Sequence, residues 1–389
     1  MFRRLTMLAA VALAAFALGT HSVRAAEPAK PEEKPAVESA EPDEATKKRV
    51  AERLAKVAEQ AKSTKVRAKA LEELGRLGSS AKDAVPVIGR ALQDENFIVR
   101  AAAAKALWGI GPDAKDALQG LIRCLDDPNP VVKDFAALAL PRVAPRSEAA
   151  LKAMPRLVRM LDEESANSRG TAARSLGKIG PDAAEAVPKL VDNLDDPDAN
   201  VRSTTVAAIG EIGPNARVAV PALVELLGDE DVWVRKGAIF ALHKVSPDSV
   251  SALTPALRDT RVNARGMATW GLALWGSKAA EATPALVRVL TTDSDARVRA
   301  NAAYALMMIG PEAKSAVPAL AKALSEDKDA SVRGNAAVAL RAMGAAARDA
   351  VPALERALED PDGIVRYNAA EALKEIRGEA KEAEEPADG

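Results

Sequence analysis

The sequence predicts an all-α fold, a right-handed α-solenoid of about ten two-helix repeats, and three columns of residues in register carry that expectation. A basic residue returns as Arg67, Arg100, Lys133, Arg169, Arg202, Arg235, Arg265, Arg299, Arg333 and Arg366, at spacings of 33, 33, 36, 33, 33, 30, 34, 34 and 33 residues. Six residues before each, from the second on, stands an acid: Asp94, Asp127, Glu163, Asp196, Asp229, Asp259, Asp293, Asp327 and Asp360. A proline column runs alongside at Pro86, Pro155, Pro188, Pro221, Pro255, Pro284, Pro318 and Pro352, with Gln119 once in the slot.

Composition agrees. Hydrophobic residues make up 48% of the 389, yet aromatics are only 3% and alanine dominates, which suits helices packed through small side chains. Stacked repeats share one continuous core, so the length does not imply several globular domains.

Taken from the N-terminus, residues 1–25 join a basic start (Arg3, Arg4), an apolar run from Leu5 to Leu18 and a small-residue end, Val23-Arg24-Ala25. This is the pattern of a secretory signal peptide cleaved near Ala25, and it places the chain in an exported compartment, periplasmic or secreted. The apolar run of 14 residues is shorter than the roughly 20 needed to span a bilayer, so no membrane insertion of the mature chain is expected. Residues 26–43 are rich in Pro, Glu, Lys and Ala without apolar periodicity and are expected to be a disordered linker. The solenoid is expected over 44–377, opened by a capping helix over 44–62, and the acidic stretch 378–389 is expected to be a disordered tail.

Within a repeat, the first helix begins near the proline, as in AVPALVELL around Pro221, where the missing N–H costs nothing. The second carries the basic residue, as in VRSTTVAAIGEIG from Val201, and stops at Gly-Pro, which recurs at Gly111-Pro112, Gly180-Pro181, Gly213-Pro214 and Gly310-Pro311.

These residues, D-x5-R preceded by AVPAL and followed by AAxALGxIG over 64–377, resemble the HEAT repeats, and most closely the short bacterial form called PBS-lyase HEAT-like repeats. The resemblance implies that the acid and arginine columns form a ladder between neighbouring repeats and that the arginine-bearing helices line the concave face. Lys133 and Glu163 depart from the pattern; both keep the charge but lose the bidentate fork. Arg67 has no acid six residues upstream.

Removing Arg3, Arg4 and Arg24 from the 54 basic residues leaves 51 against 55 acidic ones, a net charge of −4. That balance argues against nucleic acid as a partner. The single cysteine, Cys124, excludes an internal disulfide; in IRCL it reads as a small core residue. His243 is the one histidine outside residues 1–25, so no His-Glu pair exists to hold iron as HEAT-like hydroxylases do, and no catalytic residue, metal or cofactor is expected. Acid-arginine pairs that recur once per repeat do a structural job, whereas a functional site needs residues that break the symmetry.

With each arginine-bearing helix numbered from the residue before its basic residue as zero, about 100° per residue puts positions 0, 4, 7, 8 and 11 on a core side and 2, 3, 6, 9 and 10 opposite. Position 6 reads Glu72, Lys105, Leu138, Arg174, Ala207, Phe240, Trp270, Tyr304, Val338 and Glu371. Three of the 11 aromatics therefore stand in one line, with His243 and Met307 at position 9, Met267, Asn301 and Asn335 at position 3 and Leu274 and Met308 at position 10. An aromatic stripe on a solvent face marks an interaction surface for a protein or peptide partner. The alternatives are that tight curvature or the N-terminal segment buries these rings. Trp275 falls at a core position; Trp108 and Trp233 are ambiguous. The unit between Pro255 and Asp259 is four residues shorter than that between Pro221 and Asp229, about one helical turn, next to the stripe.

The function expected is thus a non-catalytic protein- or peptide-binding scaffold. A lyase- or hydroxylase-like activity inherited with the family, or a purely architectural spacer, are the competing readings.

Overall fold

The computed structural model describes residues 43–378 apart from 146 and 249, so the expectations for residues 1–25, for the linker up to residue 42 and for the tail from 379 lie outside the described residues. The described residues contain helices and turns and no strand. Helix Glu44–Gln60 opens a stack of hairpins. The arginine-bearing helices, here called inner, follow as Thr64–Arg76, Phe97–Ile110, Pro130–Val143, Ala166–Ile179, Ala199–Ile212, Val232–Val245, Val262–Trp275, Ala296–Ile309, Ala330–Met343 and Gly363–Arg377. Shorter proline-bearing helices, here called outer, alternate with them, for example Val220–Glu225 and Thr283–Thr292. The result is an α-solenoid. Among the described residues no helix is long and apolar enough to cross a membrane.

Local chemistry sets the boundaries. Inner helices start at a side chain that accepts from the first-turn N–H groups, such as Asn96, Asn129, Ser165, Asp198, Asp231, Asp295, Asp329 and Asp362. Many stop at a glycine with positive φ, such as Gly213 at φ 72, which a side chain would strain. A short 3-10 segment then leads to the proline, which sits in the first turn of the outer helix at Pro188, Pro221 and Pro318. Pro155 departs from this placement. The longer unit there lets the outer helix start early, at the Ser147 cap, so Pro155 lies inside Glu148–Met160.

Alanines and leucines from both rows fill one continuous core, in which Leu107, Leu176, Ile209, Leu242, Leu272 and Leu306 are fully buried. Inner helices approach one another through missing side chains: a Cβ on Gly109 would lie 2.3 Å from the Gly75 carbonyl oxygen. The inner helices, longer than most of the outer ones, pack on their neighbours more extensively than the outer helices do.

One junction is different. Between Val232–Val245 and Val262–Trp275 the direct packing of inner helices falls to a few residues. The outer element there has shrunk to Val250–Leu253 plus the 3-10 turn Pro255–Arg258. This is the four-residue shortening seen in the sequence, and here it opens the inner row.

Candidate functional site

The ladder is the frame on which the inner face hangs. Arg265 shows its form: Nε and Nη2 donate to Asp293 of the next repeat at 2.7 and 3.0 Å, while Nη1 donates to the Asp259 and Thr260 carbonyls at 2.9 and 3.1 Å. Asp293 also accepts the backbone N–H of Asp295, which caps the following inner helix. One guanidinium thus ties two repeats and a helix start together, with charge-assisted bonds in a water-poor setting.

The same contact joins Arg100 to Asp127, Arg169 to Asp196, Arg202 to Asp229, Arg299 to Asp327 and Arg333 to Asp360, while Arg67 reaches Asp94 through Nη2 alone, at 3.1 Å. Arg67 needs no acid of its own upstream, because the Ala61 and Lys62 carbonyls take its Nη1. Lys133 pairs with Glu163 through a single contact, and that junction gains bonds from Asn167 to Asp134 at 2.5 Å and from Ser175 to the Ala137 carbonyl at 2.7 Å.

Arg235 and Asp259, expected as a rung, do not pair. Arg235 donates only to the Asp229 and Glu230 carbonyls. Asp259 is taken instead by Arg261, at 2.7 Å, which also reaches Glu225 at 3.1 Å. Arg261 stands where the other inner helices have their capping residue, and Val262–Trp275 starts without a side-chain cap. The widened junction and the captured aspartate together explain the missing rung. Arg366, in the last described inner helix, bonds only to the Asp360 and Pro361 carbonyls.

Two residues of the aromatic stripe, Phe240 and Trp270, face each other across this open junction, and Tyr304 follows on the next inner helix. Phe240, 55% exposed, meets Trp270 edge-on with ring centroids 5.7 Å apart and an interplanar angle of 88°. Trp270, Met267, Asn301, Tyr304 and Met307 are half-buried, packed on the core yet open on one side, and His243 is exposed. Curvature has therefore not buried the rings. His243 lies edge-on to Trp275 at 5.0 Å, and Trp275, buried as its position predicts, donates its indole N–H to the Pro247 carbonyl at 2.6 Å. Where the ion pair is missing, rings bridge the gap.

Other residues fall into place around this frame. Cys124 is buried, and burial pushes its thiol up to about 11, so it is protonated and unreactive at neutral pH. Trp108 carries the Arg142 guanidinium over its ring at 4.7 Å, and Trp233 carries Lys236 at 5.3 Å. A shallow cavity of about 340 Å³, lined by Arg174, Lys178, Ser203, Thr204, Ala207 and Glu211, lies between two inner helices N-terminal to the stripe. Sequence reasoning placed Arg174 and Ala207 at position 6 but drew nothing from them; the signal was a small residue in a row of large ones.

Comparison with known proteins adds the following. The family described as HEAT repeats matches residues 51–141, 118–210, 187–262, 250–341 and 317–384. A crystal structure of Kap121p bound to Ste12p is similar at 15% identity and a TM-score of 0.51, over 86% of this chain and 46% of that one. Importin beta crystallised in ammonium sulfate is similar at 15% identity and a TM-score of 0.51, over 88% of this chain and 51% of that one. The chain thus spans about half the length of these structures, and the likeness is one of fold. No curated protein matches the chain.

Proposed function

Because the chain belongs to the HEAT-repeat family, we propose that it is a non-catalytic scaffold that holds a protein or peptide partner along its inner face, with Phe240, Trp270 and Tyr304 as anchors. One observation carries this reading: at the one junction among the described residues where two inner helices lack a rung, Phe240 and Trp270 stand open to solvent, and half-buried Tyr304 continues their line on the next inner helix. A repeat protein stabilises itself by doing the same thing at every interface, so a lone departure that leaves apolar rings accessible suits a partner. Met267 and Met307 flank the rings with side chains that adapt to varied surfaces. The similar Kap121p solenoid is seen bound to Ste12p, which fits a face of this kind receiving a partner. The basic, apolar, then small-residue start of residues 1–25 supports an exported setting.

The test is selection of a random peptide library on the full-length chain, followed by affinity measurement of the enriched peptides. Trp270→Ala is expected to weaken them roughly thirtyfold, as loss of a central aromatic anchor costs about 2 kcal/mol. An unchanged affinity in a folded variant would contradict the anchor role.

The edge-on contact of Phe240 with Trp270 favours one rival, in which the rings only fill the junction of an architectural spacer. That reading expects Trp270→Ala to lower the melting temperature and to leave peptide binding, if any, untouched.

A further inference from the structure

The inner face is charged against the sign of the chain. Positions 2, 3, 6, 9 and 10 of the eight inner helices from Phe97–Ile110 to Ala330–Met343 carry Lys105, Arg142, Arg174, Lys178, Lys236 and Lys244, all exposed, with Arg341 near the C-terminal end. Against them stand only Glu211 and the buried Asp134. The whole sequence has a net charge of −1, so cations have been gathered on this one surface.

Two of those six cations have no ion pair or ring contact among the described residues, and Lys236 lies over the Trp233 ring. Lys105 pairs with Glu72 and Lys178 with Glu211, but Arg174 and Lys244 make no ion pair among the described residues, and Arg142 rests on the Trp108 ring instead. They are also unevenly placed. Read along position 6, the face runs Arg174, Ala207, Phe240, Trp270, Tyr304, so a basic stretch passes into the aromatic one. At the boundary Ala207 leaves the cavity where the hydroxyls of Ser203 and Thr204 stand beside Arg174, with Lys178 and Glu211 paired to each other at its edge, so that Arg174 is its uncompensated charge.

We propose that the partner is an extended acidic peptide segment: its carboxylates lie over the basic stretch around Arg174, and large apolar side chains on one flank enter between Phe240, Trp270 and Tyr304. This rests on the scaffold reading above and names its partner class. Adjacent helices lie about 8–10 Å apart and an extended chain advances about 3.3 Å per residue, so one repeat takes about three residues. The segment is therefore an acid followed, or preceded, by apolar residues at every third position. Exposed arginine draws carboxylates by charge and fixes them by its fork. Single-stranded nucleic acid asks for bases stacked on rings interleaved with cations. Trp108 and Phe135 do lie beside Arg142 and Lys105, but over Val262–Trp275 and Ala296–Ile309 the same five positions carry Trp270, Tyr304 and methionines and no cation, so that end of the face suits apolar side chains better than a phosphate backbone. The acidic stretches at residues 26–43 and 378–389 contain no aromatic, leucine, isoleucine or methionine to offer as an anchor.

The experiment titrates full-length protein with three fluorescent dodecapeptides: glutamates beside a leucine-phenylalanine third-residue pattern, in both orders; the same with lysine for glutamate; and the same glutamates with alanine for the apolar residues. A twelve-residue oligothymidylate is the fourth probe. The acidic apolar peptide in one order is expected to bind at least tenfold tighter than the lysine and alanine versions, and to weaken as salt rises. Arg174→Glu, an exposed change checked for folding by circular dichroism, is expected to cost it at least tenfold while improving the lysine peptide. If Arg174→Glu leaves the acidic peptide unaffected while Trp270→Ala abolishes binding, the acidic partner is wrong and the aromatic anchors stand. If neither variant changes binding, both readings fail. Tighter binding of the oligothymidylate overturns the peptide class. Reversible self-association that Arg174→Glu abolishes gives the face to a second copy, and binding of the acidic peptide only after Glu382, Glu384 and Glu385 are changed to alanine gives it to the chain's own tail; either outcome overturns the proposal.

Discussion

Arg202→Ala is expected to destabilise the solenoid by about 3–5 kcal/mol, the cost of breaking a buried ion pair from one side, and to split its unfolding into two transitions. Arg202 is buried; it donates to Asp229 at 2.8 and 2.9 Å and to the Asp196 carbonyl at 2.9 Å. Without it the Asp229 carboxylate, its side chain 7% exposed, keeps its charge and loses its guanidinium. Stability in a repeat array is a sum of unit and interface contributions, so one weakened interface lets the units on either side unfold separately. Arg235→Ala is the internal control. It has no carboxylate partner and loses only two carbonyl contacts, so its cost is expected at less than half that of Arg202→Ala, about 1.5 kcal/mol. Chemical denaturation followed by circular dichroism measures both; equal losses would show that the rungs do not couple the repeats.

Acid is expected to dismantle the same ladder all at once. Burial pushes the Asp127, Asp196, Asp293 and Asp327 carboxyls up, but the arginine hydrogen bond and the N–H two residues on outweigh it, and each ends below the usual range. At Asp360 the Arg333 hydrogen bond is the largest influence and the direction is the same. A carboxyl held low in the folded state binds its proton more readily in the unfolded chain. Its stabilising contribution is therefore complete above the unfolded value, about 4, and is lost as pH falls through the folded value. The melting temperature is expected to be level from pH 8 to pH 5 and to fall steeply below about pH 4. A level profile down to pH 3 would mean that the rungs contribute nothing.

Much of this architecture is legible in the sequence because a solenoid writes each contact once per repeat. The arginine and acid columns show which residue types meet, and the 3.6-residue period places Trp275 inside and Phe240 outside, as found. What the columns conceal is the direction of each contact: an arginine reaches the acid 27 or 28 residues ahead, while its own repeat supplies only carbonyls. Backbone acceptors leave no trace in side-chain identity, which is why Arg67 is held without an upstream acid. The interrupted rung was hidden for another reason. Arg235 and Asp259 keep their residue types, but they stand 24 residues apart where paired arginine rungs stand 27 or 28 apart, and the lost turn in the outer helix together with Arg261 in the capping place separates them. The aromatic stripe stood out because aromatics are scarce here; the basic stretch beside it did not, because lysine and arginine are common everywhere in the chain.

The central claim is that paired repeats are tied by a ladder with one open junction among the described residues, between Val232–Val245 and Val262–Trp275, where Phe240 and Trp270, the proposed anchors, face each other. Hydrogen exchange of the unmodified chain, resolved helix by helix, tests it most directly. Slow exchange is expected through the inner helices from Phe97 to Ile212 and from Ala296 to Met343, with a distinct minimum of protection over residues 246–261. Protection that runs level across that junction would contradict the account.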